Sequence, residues 1–398
     1  GLGCASPRSP AAASAAPTRD SAPSGGFEDL GVTPYVAGLL SRAGFDRPTG
    51  VQREAIPAVL AGGNVGIRAY TGSGKTLAYL VPLLARAAGE AGGAATSTQV
   101  QAVVVAPSQE LAMQIVRAAH SLLGDSGKWA VQQLIGGASR KRQEEALRRN
   151  KPLVVVGTPG RLAELSRSGA LQTHHTRAVV LDEADELLDG VFAKDMERLR
   201  QHVGARAEGG RQVVVVSATL DERAKRAYAG WAPDLRLVEV KGGGRARAVA
   251  VGGGELAAVD DAAVREARDG LAPSVRHFRV ALKDPRWTRR VDSLRRAITA
   301  LGARRALVFV HHGRRIPDVA SKLAARGMRV EALRGEMLAA ERAAAVARFR
   351  SGKARALVVT EVAARGLDFP ECDCVVNLEV PEREVSYAHR AGRTGRAG

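Results

Sequence analysis

A chain of 398 residues exceeds the roughly 100–200 that one hydrophobic core organises, so two domains are expected. Its 45% hydrophobic and 25% charged residues exclude a disordered chain and a membrane bundle, and no apolar run reaches the roughly 20 residues that cross a bilayer. Lysine and arginine exceed the acids by 18, mostly beyond residue 240, which points to a polyanionic partner; with only 4% aromatics, a grip on phosphates and sugars is favoured over rows of stacking rings.

Residues 1–26 are rich in Ala, Ser, Pro and Gly, with one acid and two arginines. Such a composition builds no core and fits an organelle transit segment or a plain flexible tail. Cys4, Cys372 and Cys374 are too few for a disulfide framework, and a lone Cys-x-Cys lacks the second ligand pair of a zinc site.

From Phe27 onward, β-branched runs at 65–69, 101–106, 153–157, 178–182 and 212–217 alternate with helical stretches such as 111–123. That alternation predicts an α/β domain over 27–240, a parallel sheet flanked by helices. A glycine-rich interval makes 241–272 a flexible linker. Runs at 306–310, 328–333, 356–360 and 374–378 predict a second α/β domain over 273–398, expected to be incomplete at its C-terminal end.

Thr71, Gly72, Ser73, Gly74, Lys75 and Thr76 follow the first strand and open an apolar helix, the setting a phosphate loop requires. Glycines admit backbone N–H groups to phosphate oxygens, the helix terminus adds partial positive charge, Lys75 neutralises terminal phosphates, and the Thr76 hydroxyl suits Mg2+. Ala69 stands where the general pattern has its first glycine. Asp182, Glu183 and Asp185 end another apolar strand, where carboxylates need a compensating cation. Beside a phosphate loop, Asp182 is expected to hold Mg2+ with Thr76, and Glu183 to position and deprotonate an attacking water. In open α/β sheets ligands gather at the carboxyl ends of strands, so these segments are expected to share one cleft.

Phe27 with Pro48, Thr49 and Gln52, the phosphate loop, and PSQELA at 107–112 begin a longer series. It continues through Gly136 and Gly137, TPGR at 158–161, the Asp182–Asp185 tetrad, SAT at 217–219, LRGEM at 333–337, TEVAARGLD at 360–368 and HRAGRTGR at 389–396. In this order the blocks resemble those of the DEAD-box RNA helicases, superfamily 2 ATPases with two tandem RecA-like domains, and the resemblance covers 27–398. It implies that ATP and Mg2+ are the cofactors, that Gln52 reads adenine with Phe27 stacked on it, and that Asp368 contacts the ribose. It further implies that Asp185, Ser217, Thr219 and His389 couple hydrolysis to strand separation, and that Arg393 and Arg396 reach the γ-phosphate across the domain cleft. RNA contacts would come from Pro107, Gly137, Thr158, Gly160 and Arg161 in the first domain. In the second they would come from Arg334, Gly335, Thr360 and Gly366, all touching backbone without reading sequence.

Three positions depart from the family pattern: Ser108 and Gln109 stand where threonine and arginine are usual, and Glu361 replaces the usual aspartate. One cationic RNA contact or supporting bond is thereby lost in the first domain, while the strongly basic second domain is expected to compensate. The role of Glu361 stays open. The pairs His174–His175 and His311–His312 are read as surface or structural residues, and Trp129, Trp231 and Trp287 as packing residues. The expected activity is ATP-dependent unwinding of short RNA duplexes or RNA–protein remodelling, by a monomer with no membrane contact. A slowly turning ATP-dependent RNA clamp and a DNA translocase are the alternatives. The leader composition and a resemblance to plastid helicases make chloroplast the expected compartment, with cytoplasm or nucleus as the alternative.

Overall fold

The computed structural model describes residues 25–90, 99–187, 190–218, 226–240, 249–251, 254–258, 274–280, 282, 286–364, 372–381 and 384–395. In the first half lie β1 (Val65–Ala69), β2 (Ala102–Val105), β3 (Val131–Leu134), β4 (Val154–Gly157), β5 (Ala178–Leu181), β6 (Gln212–Ser217) and β7 (Arg236–Val240). They form one sheet in the order β3-β4-β2-β5-β6-β1-β7, every neighbouring pair parallel. β2, β4, β5 and β6 are buried along their whole length, as valine-rich strands covered on both faces must be.

Alternation sends successive residues to opposite faces. Ala102 and Val104 of β2 join the layer formed with helices Gly50–Leu60, Lys75–Glu90 and Gln109–Gly127, whereas Val103 and Val105 join that of helices Pro159–Arg167 and Ala193–His202. The edge strands β3 and β7 are half-exposed and carry Gln132, Gln133, Arg236 and Glu239, polar residues that hid them from a search for β-branched runs.

The second domain holds β11 (Ala306–Phe309), β12 (Val330–Leu333), β13 (Ala356–Val359) and β14 (Cys374–Asn377), parallel throughout in the order β12-β13-β11-β14. Between the two sheets, β8 (Val249–Val251), β9 (Gly254–Ala258) and β10 (Phe278–Val280) pair antiparallel. The interval 241–272, read as a linker from its glycines, thus contains two short strands. Because both main sheets are parallel, Ala69, Val105, Gly157, Leu181 and Ser217 share the carboxyl edge of one, and Phe309, Leu333, Val359 and Asn377 that of the other.

Candidate functional site

The loop after β1 turns through Gly72 and Gly74 at φ +87° and +96°, a region that β-carbons disfavour. A Cβ on Gly74 would also sit 2.5 Å from Gln52 Nε2. Thr49 and Gln52, at the start of helix Gly50–Leu60, clamp this loop: Thr49 Oγ1 donates to Ser73 O at 2.8 Å and Gln52 Nε2 to Gly74 O at 3.2 Å. Gln52 Oε1 in turn accepts from Thr49 N at 2.9 Å. Lys75 Nζ donates to Ala69 O at 2.6 Å and Tyr70 O at 3.0 Å, so the ammonium lies over its own loop. Ser73 Oγ is buried with no hydrogen-bond partner. Phe27 is buried in the same hydrophobic layer as the helix Gly50–Leu60.

Asp182 follows β5 and is only 4% exposed. Its carboxylate accepts from the Tyr79 hydroxyl at 2.7 Å and from Glu183 N at 2.9 Å. Burial pushes the carboxyl up to about 6, against the opposing hydrogen bond from Tyr79 and the charge of Lys75. Glu183 takes a left-handed φ of +46°, an uncommon geometry for a residue with a β-carbon and one that marks a turn held by its surroundings. Two residues on, Asp185 Oδ1 accepts from Ser217 Oγ at 2.7 Å, joining the ends of β5 and β6.

The second domain meets this acidic turn directly. His389, on helix Glu384–Ala391, brings Nε2 to 3.0 Å from Asp185 Oδ2 and Nδ1 to 3.5 Å from Glu186 Oε1. Three residues later a Cβ on Gly392 would lie 2.7 Å from Thr71 Cβ, so this glycine is seated on the phosphate loop. Arg393 is buried beside it. Arg390 points the other way: Nε and Nη2 donate to Glu361 Oε2 at 3.0 and 2.8 Å, Nη1 donates to Asn377 Oδ1 at 3.2 Å, and the guanidinium lies 5.2 Å from the Phe309 ring centre. Glu361 thereby acquires a definite partner.

A second cleft of about 1270 Å³ opens between the domains. Pro107, Gln109, Thr158, Gly160 and Arg161 line one wall, and Met337 and Arg342 the other. Gln109 lies against Gly136 and Gly137, the latter at φ +72°. Arg161 is held by Glu164 Oε2 at 2.9 Å and Ala138 O at 3.1 Å, and Arg342 faces Glu110 across the gap at 3.8 Å. Arg334 and Gly335 are exposed just past β12, and Thr360 follows β13. Thr219, Gly366, Asp368 and Arg396 lie outside the described residues.

The profile of the DEAD/DEAH box helicase family matches residues 49–227, and that of the helicase conserved C-terminal domain matches residues 289–398. DEAD-box ATP-dependent RNA helicase 47, mitochondrial, of Arabidopsis thaliana is 42% identical across 91% of this chain and 69% of its own length. The chain belongs to the DEAD-box ATP-dependent RNA helicases. The helicase CshA of Geobacillus kaustophilus is 32% identical across 94% of the chain and 71% of its own. Among solved structures, Saccharomyces cerevisiae Dbp5 bound to RNA and ADP BeF3 shares the fold, with a TM-score of 0.71 at 24% identity over 93% of this chain and 86% of that one. Both domains of this DEAD-box protein are accordingly RecA-like.

Several groups at the helicase core were not singled out by sequence reasoning. Tyr79 and Glu186 sit on helices and carry no motif signal; only the fold brings them to Asp182 and His389. Arg390 and Gly392 were visible within HRAGRTGR, yet its three arginines are indistinguishable until the helix fixes which way each one faces. Trp287 donates from Nε1 to Asp318 at 2.6 Å and lies under Arg315, a local packing arrangement, and the backbone N–H of His311 donates to Glu379 at 2.9 Å.

Proposed function

We propose that this chain couples ATP binding and hydrolysis to local unwinding of short RNA duplexes or to remodelling of RNA–protein complexes. The observation that carries this reading is the seating of the 389–393 segment of the second domain on the phosphate loop and acidic turn of the first. A reaction centre shared by two domains makes hydrolysis conditional on closure, and ATP the ligand that selects the closed state.

In this reading Gln52 and Thr49 fix the loop that cradles the phosphates, with Phe27 beneath the base-recognising end. Lys75 exchanges its loop carbonyls for terminal phosphate oxygens, and Ser73 Oγ gains the partner it lacks. Thr76 and Asp182 fit Mg2+: a buried carboxyl pushed up to about 6 is one that a cation would return to its charged form. The ion would supply neutralising charge to the phosphate oxygens. Glu183 orients and deprotonates the attacking water. Arg393, with Arg396, stabilises developing charge on the γ-phosphate, an effect of about a thousandfold or more in other phosphoryl-transfer sites. Asp368 holds the ribose.

RNA backbone would occupy the cleft at Pro107, Gly137, Thr158, Gly160 and Arg161, reaching Arg334, Gly335 and Thr360 of the second domain, with Gly366 as a further proposed contact. Small and glycine residues permit close phosphate and 2′-OH contact without base reading. The test compares ATP hydrolysis with RNA, with DNA and without nucleic acid. Stimulation by RNA alone supports the helicase reading, stimulation by DNA favours a translocase, and a flat slow rate favours a clamp. An organelle is the proposed compartment, and the mitochondrial name of the Arabidopsis relative favours mitochondria over the chloroplast expected from the leader. Import of a leader fusion by isolated chloroplasts alone would reverse that preference.

A further inference from the structure

The short helix Glu361–Ala364 lies between the two clefts. Thr360, a proposed RNA contact, opens it: Thr360 Oγ1 accepts from Ala363 N at 3.4 Å and Thr360 O from Ala364 N at 3.0 Å. On the RNA side, Arg342 Nη2 donates to Ala363 O at 3.4 Å while facing Glu110 of the first domain. On the ATP side, Glu361 holds Arg390 through two donors on one oxygen. The residue before Arg390 is His389, against Asp185, and two residues after it comes Gly392, against Thr71.

We propose that Glu361 and Arg390 form a strut joining the RNA-facing turn at Thr360 to the nucleotide-facing segment 389–393, with Glu361 a positioning residue for RNA-stimulated turnover. This rests on the functional reading above. The pair suits the role because the Arg390 side chain is only 5% exposed, and a permanent charge so far out of water needs an opposite charge beside it. Both ends of this connection carry charge, which makes it stiff and directional. Arg390 has further, neutral anchors in Asn377, Glu379 O and Phe309, so Glu361→Gln removes its charge partner while these contacts still hold the guanidinium. The extra methylene of Glu361, relative to aspartate, supplies the reach from the helix start to the guanidinium.

The experiment uses the full chain with Glu361→Gln, which keeps shape and loses charge, and Glu361→Asp, which keeps charge and loses reach. The first readout is the ratio of ATPase rate at saturating poly(U) to the rate without RNA. The ratio is expected to fall about tenfold in Glu361→Gln and severalfold in Glu361→Asp, with KM for ATP and Kd for RNA moving less than about twofold. A merely structural role would depress both rates together and leave the ratio intact, and that outcome overturns the strut. Amide hydrogen exchange is the second readout: poly(U) should slow exchange across 387–393 in the unsubstituted chain and fail to do so in Glu361→Gln. If the unsubstituted chain shows no RNA stimulation, the functional reading fails, and exchange alone then decides the strut. Equal RNA protection of 387–393 in both chains, or none in the unsubstituted one, also overturns it.

Discussion

His389 Nε2 stands 3.0 Å from Asp185 Oδ2, so a single imidazole of the second domain closes on the carboxylate that Ser217 already holds in the first. Burial by itself would lower this imidazole, yet Asp185, aided by Glu183 and Glu186, outweighs it and raises the group to about 9. Asp185 shows the reciprocal effect: burial raises it, but pairing with His389 and the Ser217 hydrogen bond bring it below its ordinary value.

The pH dependence of closure follows. A raised imidazole stabilises the closed pair fully below its ordinary value of 6.5, and that contribution is lost as pH rises through about 9. The lowered Asp185 contributes above its ordinary value and loses this only as pH falls. Interdomain fluorescence transfer, with a non-hydrolysable ATP analogue and RNA, should therefore report opening between pH 7 and 10 with a midpoint near 9. His389→Gln should flatten that transition; an unaltered profile would remove the pair from any role in closure.

Gly392→Ala tests the fit across the cleft. The added Cβ meets Thr71 Cβ at 2.7 Å and Oγ1 at 2.9 Å, closer than nonbonded atoms tolerate, so the domains must stand apart. A displacement on the order of 1 Å in such a centre costs about a hundredfold in rate. RNA-stimulated kcat should fall at least tenfold, and small-angle scattering should show the ligand-bound chain remaining extended.

Asp182→Asn should trade activity for stability. Ionising this buried carboxyl is unfavourable without a cation, since its value is pushed from 3.8 to about 6. The penalty is absent below pH 3.8, grows up to about 6, and is complete above that. At about 1.4 kcal/mol per unit, the asparagine should stabilise the ligand-free first domain by about 1–3 kcal/mol at pH 7.5 in urea titrations, with no gain near pH 3.5. Its amide can donate to the Tyr79 hydroxyl, so packing is kept. ATP hydrolysis should drop at least a hundredfold.

Gln109→Arg restores a cation at the cleft wall beside Gly136 and Gly137. Each added phosphate contact on a single strand steepens the salt dependence of binding by about 0.7 in log–log slope. RNA affinity at 0.1 M salt should rise severalfold with that change in slope; an unchanged slope would mean that residue 109 faces no phosphate.

The amino-acid sequence determined the parallel α/β architecture and the phosphate loop, because both are local in their causes. Valine runs at 102–105 and 212–217 have no alternative but a strand covered on two faces, and Gly72, Gly74 and Lys75 suit one kind of turn. The edge strands β3 and β7 escaped notice since their polar side chains face solvent and only pairing to β4 and β1 makes them strands. Tertiary structure alone decided which charged groups are partners. Asp185 and His389 are separated by more than 200 positions and pair only because two sheets present their carboxyl edges to each other, whereas Glu361 and Arg390, 29 positions apart, meet at the carboxyl edge of one sheet. Electrostatic partnership acts through space, and a motif records the presence of a charge without the direction in which the fold will aim it.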